Sequence, residues 1–221
     1  MTVRNLDRLL RPASVALIGA SPEAGSVGNI VARNLLRAGF HGPVAFVNPR
    51  HATIAGQHVV KSVGELPFVP DLAVIATPPA TVPGLVAEVA AKGCRAAVVI
   101  TAGISGELRT AMLTAAQPAC LRIQGPNCLG LMLPGPGLDA SFSHRAPLKG
   151  DLAFVSQSGA LITSIVDWAS ARAIGFSHVV SLGDMADVDF GDLLDYLAAD
   201  VSSRAILLYM ESVTHAPKFL S

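Results

Sequence analysis

The stretch "VALIGASPEAGSVGN" (Val15–Asn29) decides the fold. It opens as an apolar run of β-strand character, stops at Gly19, and carries further glycines at Gly25 and Gly28 where helical spacing begins. Strand, glycine turn and helix in that order start a βαβ unit. The unpaired N–H groups and positive dipole end of such a helix favour a phosphate. The spacing is G-A-S-x-x-x-G-x-x-G, longer than the G-x-G-x-x-G dinucleotide pattern, and Ser21 adds a hydroxyl within reach of a phosphate. For the glycines alone, a tight turn without a ligand is the competing reading.

Outward from this stretch, apolar runs alternate with amphipathic ones. The strands are "SVALIG" (Ser14–Gly19), "PVAFVNP", "DLAVIAT" (Asp71–Thr77), "AAVVIT" (Ala96–Thr101) and "CLRIQG". The helices are "GNIVARNLLRAGF" (Gly28–Phe40), "PATVPGLVAEVAAKG" and "SGELRTAMLTAAQ", the last with Ser105 as expected N-cap. Continuous Val/Ile/Ala strands are those of a buried parallel sheet. Residues 1–132 therefore read as a Rossmann-type, doubly wound α/β domain. Residues 133–150, "LPGPGLDASFSHRAPLKG", are rich in Pro, Gly and Ser without a period and read as a linker. Residues 151–221 restart the alternation as β-α-β-α-β, a second, flavodoxin-like α/β domain. It breaks off as "ESVTHAPKFLS" begins another helix, so the chain reads as part of a longer protein.

Composition narrows the function classes. Of 221 residues, 51% are hydrophobic and 14% charged, which is a globular balance. Net charge is zero and aromatics make up only 5%, so neither a backbone-tracking cationic stripe nor a base-stacking surface is expected, and nucleic acid is excluded as a partner. No run approaches the roughly 18 apolar residues of a membrane span. "MTVRNLDRLLRP" lacks the apolar core of a leader. Cys94, Cys120 and Cys128 are odd in number and lack metal-ligand spacing, which predicts reduced thiols in the cytoplasm and no metal site.

The second strand narrows the ligand. A nicotinamide site would end it in Asp or Glu for the ribose hydroxyls. Here it ends "VNPRH", with Asn48 and Arg50. A cation there suits a ligand with an additional ribose phosphate, NADP or coenzyme A. The later strand ends, "ATPPAT" (Ala76–Thr81), "ITAGISG" (Ile100–Gly106) and "GPNCLG" (Gly125–Gly130), set small residues and prolines along the same edge. That leaves room for a long thin ligand such as a pantetheine arm.

The ordered set "SVALIGAS…G..G", "VNPR", "ATPP", "ITAGISG", "GPNCLG" and "GDLAFVSQSGAL" resembles the NDP-forming acyl-CoA synthetases, which include the succinyl-CoA synthetase α subunit, along essentially the whole chain. The resemblance implies that Gly19, Ser21, Gly25, Val27, Gly28, Asn48 and Arg50 hold CoA phosphates, Arg50 standing where many members have Lys. It implies that Pro78, Pro79, Thr101, Ala102 and Gly103 line the CoA path, Ala102 standing where many members have Glu, and that Asn127 lies near the thiol. It further implies that Ser156, Ser158 and Gly159 form the loop that receives the phosphate of a phosphohistidine at a helix N-terminus. Asp184 replaces a common Asn.

The same resemblance implies a reaction of acid, CoA and ATP or GTP with Mg, carried through a histidine and a nucleotide-grasp domain in the complete protein. None of the six histidines lies in a glycine-rich loop of that kind, so no catalytic residue is expected here. Cys128, close to the expected thiol end, reads as a small buried residue. The chain is also similar to the synthetase-like regulatory region fused to some bacterial lysine acetyltransferases, where it would sense acyl-CoA or nucleotide. An NADP oxidoreductase is the remaining alternative, and a homo-oligomer is left open.

Overall fold

The computed structural model describes residues 3–220. In chain order its elements are α1 (Leu6–Leu10), β1 (Val15–Ile18), α2 (Val27–Arg37), β2 (Val44–Val47), β3 (Thr53–Ile54), β4 (Gln57–Val60), β5 (Leu72–Ile75), α3 (Val82–Lys92), β6 (Ala96–Val99), α4 (Gly106–Ala116), β7 (Arg122–Gln124), β8 (Gly130–Leu133), β9 (Leu138–Ser141), β10 (Leu148–Ser156), α5 (Gly159–Ser170), β11 (Gly175–Ser181), α6 (Phe190–Ala198), β12 (Ala205–Tyr209) and α7 (Ala216–Leu220). They build a seven-stranded sheet, β3-β4-β2-β1-β5-β6-β7, and a five-stranded one, β12-β10-β11-β8-β9.

The first sheet is parallel apart from the β3–β4 hairpin. β1, β5 and β6 are buried along their whole length, which is why they read as unbroken apolar runs. Successive side chains feed two cores: Val15, Leu17, Leu72 and Val74 on one face, Ala16, Ile18, Ala73 and Ile75 on the other. From β1 the chain moves out to β2, and β5 returns to the opposite side of β1. The direction of winding reverses there, and the crevice outside the strand carboxyl ends at that boundary is where such sheets hold ligands.

Three local features depart from the sequence reading. The charged N-terminus carries α1, whose Leu6, Leu9 and Leu10 recur at helical spacing and are buried. Ser105 precedes α4 in an extended conformation, but its hydroxyl makes no cap hydrogen bond. The segment 133–150 is not an aperiodic linker. β8 and β9 form an antiparallel hairpin and β8 pairs antiparallel with β11, so the segment supplies one edge of the second sheet and the first residues of β10. Its prolines and glycines mark the hairpin turn, where Gly137 takes φ 71°.

That hairpin also supports the first sheet. α2 packs on β9, and Asn34 Nδ2 donates to the carbonyls of Ser141 (2.9 Å) and Ser143 (2.8 Å). One apolar cluster joins Val31 and Leu35 of α2 to Leu131, Leu138, Ala140, Val155 and Val180. Beyond the hairpin, β10-α5-β11-α6-β12 follows the expected order, with β11 and β12 parallel to β10 on either side. α5 covers Phe154 and Phe176 on one face, and α6 covers Val155 and Val180 on the other. Arg122 ties the edge of the first sheet to the start of α6 through Asp187 (3.0 Å) and Asp192 (2.8 Å). Among the described residues no helix is long and apolar enough to cross a membrane.

Candidate functional site

The carboxyl ends of β1 and β5 come so close that Gly19, at φ 97°, has no room for a side chain: a Cβ would sit 2.4 Å from the Ala76 carbonyl oxygen. The loop then climbs to α2, which starts at Val27 with Ser26 as N-cap, accepting from Asn29 N–H at 3.3 Å. Gly28, in the first turn, lies against β1's exit, where a Cβ would fall 1.9 Å from the Gly19 oxygen. Ser21 Oγ accepts from Glu23 N–H (3.1 Å), and the Ser21 carbonyl accepts from Asn29 Nδ2 (3.0 Å). Gly25, at φ 82°, is at the open tip.

Beside this loop is a cleft of about 570 Å³ whose lining includes Gly19, Asn48, Arg50, Lys61, Thr77, Pro78 and Thr81. Asn48 is a bracket. Its Nδ2 donates to the Ala20 carbonyl (2.7 Å) and its Oδ1 accepts from Arg50 N–H (2.7 Å), tying the glycine loop to the "NPR" turn. Arg50 is exposed, and neither it nor Lys61 makes an ion pair among the described residues. Lys61 arrives because β4 pairs parallel with β2, Val47 opposite Val60, which sets Lys61 level with Asn48. The strands β3 and β4 were not legible as such, so the sequence reading missed Lys61.

A second cleft, of about 600 Å³, shares Ala76 and Thr77 with the first and lies between the carboxyl ends of both sheets. Its lining includes Val27, Ile100, Thr101, Ala102, Asn127, Cys128, Leu129, Phe142, Gly159, Ala160 and Thr163. The two clefts, adjoining at Ala76 and Thr77, are together called the trough. Thr101 Oγ1 donates to the Thr77 carbonyl (2.8 Å) and the Thr101 carbonyl accepts from Asn127 N–H (3.0 Å), so three strand ends are stitched along its floor. Pro79 and the exposed Gly103 line neither cleft, and a Gly103 Cβ would stand 3.7 Å from Pro79 Cγ. Asn127 stands at φ 57°, with Nδ2 donating to Asp184 Oδ1 (3.0 Å). Burial pushes the Cys128 thiol up to about 12.

The second glycine-serine loop closes the far end. Ser158 caps α5, its Oγ accepting from Leu161 N–H (3.3 Å). Ser156 Oγ donates to the Ser158 carbonyl (2.9 Å) and accepts from Ser158 N–H (3.0 Å). Both hydroxyls are thus engaged within the loop, and the first turn of α5 presents Gly159 and Ala160 to the trough. The N–H groups of such a turn have no intrahelical partner.

The trough therefore gathers Gly19, Val27, Asn48, Arg50, Pro78, Thr101, Ala102, Asn127 and Gly159. Ser21, Gly25, Gly28, Pro79, Gly103, Ser156 and Ser158 are not among its lining residues. Thr77, Phe142 and Thr163, like Lys61, escaped the sequence reading. Thr77 had a signal, adjoining the "PP" turn that was singled out. None of the six histidines lines the trough. His144 pairs with Asp167 at the surface (2.9 Å), while His178 is buried beside Ser203 (3.2 Å). Among the described residues no three His, Cys, Asp or Glu side chains group as metal ligands.

A doubly wound sheet with an elongated, cation-ended trough at its switch point is the build of a nucleotide-coenzyme-binding domain. Residues 13–134 match the family model described as CoA binding domain, and residues 149–221 the one described as succinyl-CoA ligase like flavodoxin domain. The chain is 42% identical over 221 residues to acetate–CoA ligase (ADP-forming) I of Archaeoglobus fulgidus, covering 97% of this chain and 32% of that protein. It is 37% identical to the alpha subunit of acetate–CoA ligase (ADP-forming) I of Pyrococcus furiosus, covering 98% of this chain and 49% of that one. The structure of the dinucleotide-forming acetyl-coenzyme A synthetase 1 of Ca. Korarchaeum cryptofilum with phosphate and ADP superposes with a TM-score of 0.93 at 34% identity, over 97% of this chain and 48% of that one. The chain belongs to the NDP-forming acyl-CoA synthetase family, its first part being a CoA-binding domain. It spans about a third to a half of the length of these curated relatives.

Proposed function

We propose that this chain is the CoA-holding part of an NDP-forming acyl-CoA synthetase, which joins a carboxylic acid to CoA and releases NDP and phosphate. The observation that carries the reading is the pair of adjoining clefts, meeting at Ala76 and Thr77, that run from Arg50 and Lys61, which make no ion pair among the described residues, to the first turn of α5. When bound, CoA supplies the thiol that becomes the thioester. Arg50 and Lys61 hold its phosphates by charge-assisted contacts, and Gly19 lets the backbone approach them. Ala76, Pro78 and Ala102 leave width for the pantetheine arm. The apolar walls at Ile100, Leu129 and Phe142 keep water from the thiol end.

The N–H groups at Gly159 and Ala160 then face an incoming phosphoryl group at a helix N-terminus. The histidine that carries it, and the nucleotide-grasp portion that uses ATP or GTP with Mg, belong to the complete protein, which we place in the cytoplasm. The ligase names of the relatives favour this synthetase over the region fused to lysine acetyltransferases.

Isothermal titration calorimetry with CoA and NADP tests the reading. CoA binds and NADP does not. Arg50→Glu and Lys61→Glu each weaken CoA binding by about tenfold or more, since hydrogen bonds to charged groups contribute about 1.5–3 kcal/mol. Equal affinity for the two ligands, or unchanged CoA affinity in both variants, overturns it.

A further inference from the structure

Asn127, itself exposed to solvent, is the one carboxamide lining the inner half of the trough, whose apolar lining includes Ile100, Leu129 and Phe142. A carboxamide has two unlike ends, two N–H donors and an acceptor oxygen, and a pocket of fixed geometry uses only one of them toward a ligand. Here the choice is made from outside the trough. Asn127 Nδ2 lies 3.0 Å from Asp184 Oδ1, and a carboxylate only accepts. The amide must therefore turn its N–H toward Asp184, which leaves Oδ1 as its open end. No described residue hydrogen-bonds that oxygen.

Asp184 is itself held. Its N–H donates to the Pro126 carbonyl (2.9 Å) and Ala186 N–H donates to the Gly125 carbonyl (2.9 Å). Gly183, at φ 56°, lies so close that a Cβ would sit 2.3 Å from the Pro126 oxygen and 2.5 Å from the Asn127 oxygen. The loop after β11 is thus clamped onto the "GPN" loop by backbone alone, and the carboxylate is carried to the amide in fixed register. An Asn at 184 would carry donor and acceptor both, and the two amides could flip together.

Resting on the proposed CoA binding, we infer that Asp184 is a positioning residue: it fixes Asn127 with its carbonyl oxygen as the acceptor that receives a hydrogen-bond donor on the pantetheine arm of CoA. Two donors on that arm share this chemistry, the terminal thiol S–H and the amide N–H nearest it.

Calorimetry with CoA and desulfo-CoA separates them, on the wild-type chain, Asp184→Asn, Asp184→Ala, Asn127→Ala and the Asn127→Ala/Asp184→Asn double variant. Asp184→Asn and Asp184→Ala weaken CoA binding about two- to tenfold, the range of one net hydrogen bond. Their thermal melts, run alongside, report folding. In the Asn127→Ala background Asp184→Asn changes CoA affinity no further, because the residue it acts through is gone. A loss seen with CoA alone assigns the thiol as donor, and a loss with both ligands assigns the amide; either supports the inference. Wild-type affinity in both Asp184 variants overturns it. So does a loss that persists undiminished in the Asn127→Ala background, as a purely structural clamp would give. Absence of CoA binding by the wild-type chain overturns the proposed function and this inference with it, and is told apart by that first titration.

Discussion

Glycine to alanine inside a helix ordinarily stabilises a protein, by up to about 1 kcal/mol, because alanine loses less backbone freedom on folding. Two helical glycines at the trough should answer that substitution with opposite signs. Gly84, in the first turn of α3, has nothing within 4 Å of where a Cβ would stand, so Gly84→Ala should raise stability by about 0.5–1 kcal/mol. Gly28, in the first turn of α2, would put its Cβ 1.9 Å from the Gly19 oxygen, 3.1 Å from the Gly19 carbonyl carbon and 3.3 Å from Ser21 N. All three are backbone atoms at the exit of β1, which no rotamer change can clear. Forcing a methyl into close-packed surroundings costs about 1–3 kcal/mol, and a contact this short belongs at the upper end. Less the helical gain of about 0.5–1 kcal/mol, Gly28→Ala should lose about 2–2.5 kcal/mol. For a chain of this size 1 kcal/mol moves the melting temperature by about 2–4 °C. The two variants should therefore melt about 5–14 °C apart, straddling the wild type. Urea denaturation followed by circular dichroism gives the same difference independently. A Gly28→Ala chain at or above wild-type stability would refute the close seating of α2 on β1, and the derivation of the glycine loop with it.

Two further outcomes follow from buried titratable groups. Burial pushes the Asp139 carboxyl up to about 6, against the pull of its hydrogen bonds from Ser141 Oγ and N–H. A raised folded value means the folded state binds the proton more tightly, so stability is greatest below the unfolded value near 3.8 and falls as pH rises through about 6. Asp139→Asn should thus stabilise the chain at pH 7 and lose that advantage near pH 4 in thermal melts; a pH-independent difference would sink the account. Cys128 and Cys94, buried and pushed up to about 12 and about 11, should resist iodoacetamide at pH 8 until urea unfolds the chain. The half-buried Cys120 should react first, as peptide mass spectrometry will show; equal rates for Cys120 and Cys128 would contradict the packing at the inner trough.

The parallel core was legible because β1, β5 and β6 are buried on both faces and have no polar face to interrupt them. Gly19 and Arg50 were legible for a related reason: a strand ending and a turn are both punctuated by residue type. The β8–β9 hairpin was hidden by its own chemistry. Asp139 and Ser141 are buried polar residues that break the apolar pattern, and the turn between the strands is all Pro and Gly. Lys61 could not be read as a ligand residue because its place depends on β4 pairing with β2, a contact set by register rather than by any local signal. The hydroxyls of Ser156 and Ser158 matched a phosphate loop by type, yet the structure spends both within the loop, leaving backbone N–H groups to face the trough.

The hairpin has a consequence for how this chain can be divided. Cut just after Pro134, the chain would leave Val31 and Leu35 of α2 without the Leu138 and Ala140 wall they share, and would strip β8 from β11, opening β11 as a raw edge. Neither half would then own its hydrophobic interior. A gene-level boundary drawn at the Pro/Gly-rich segment would yield two sticky pieces. Recombination that keeps the hairpin with both sheets would yield one transferable cassette, in which the floor of the trough moves as a unit.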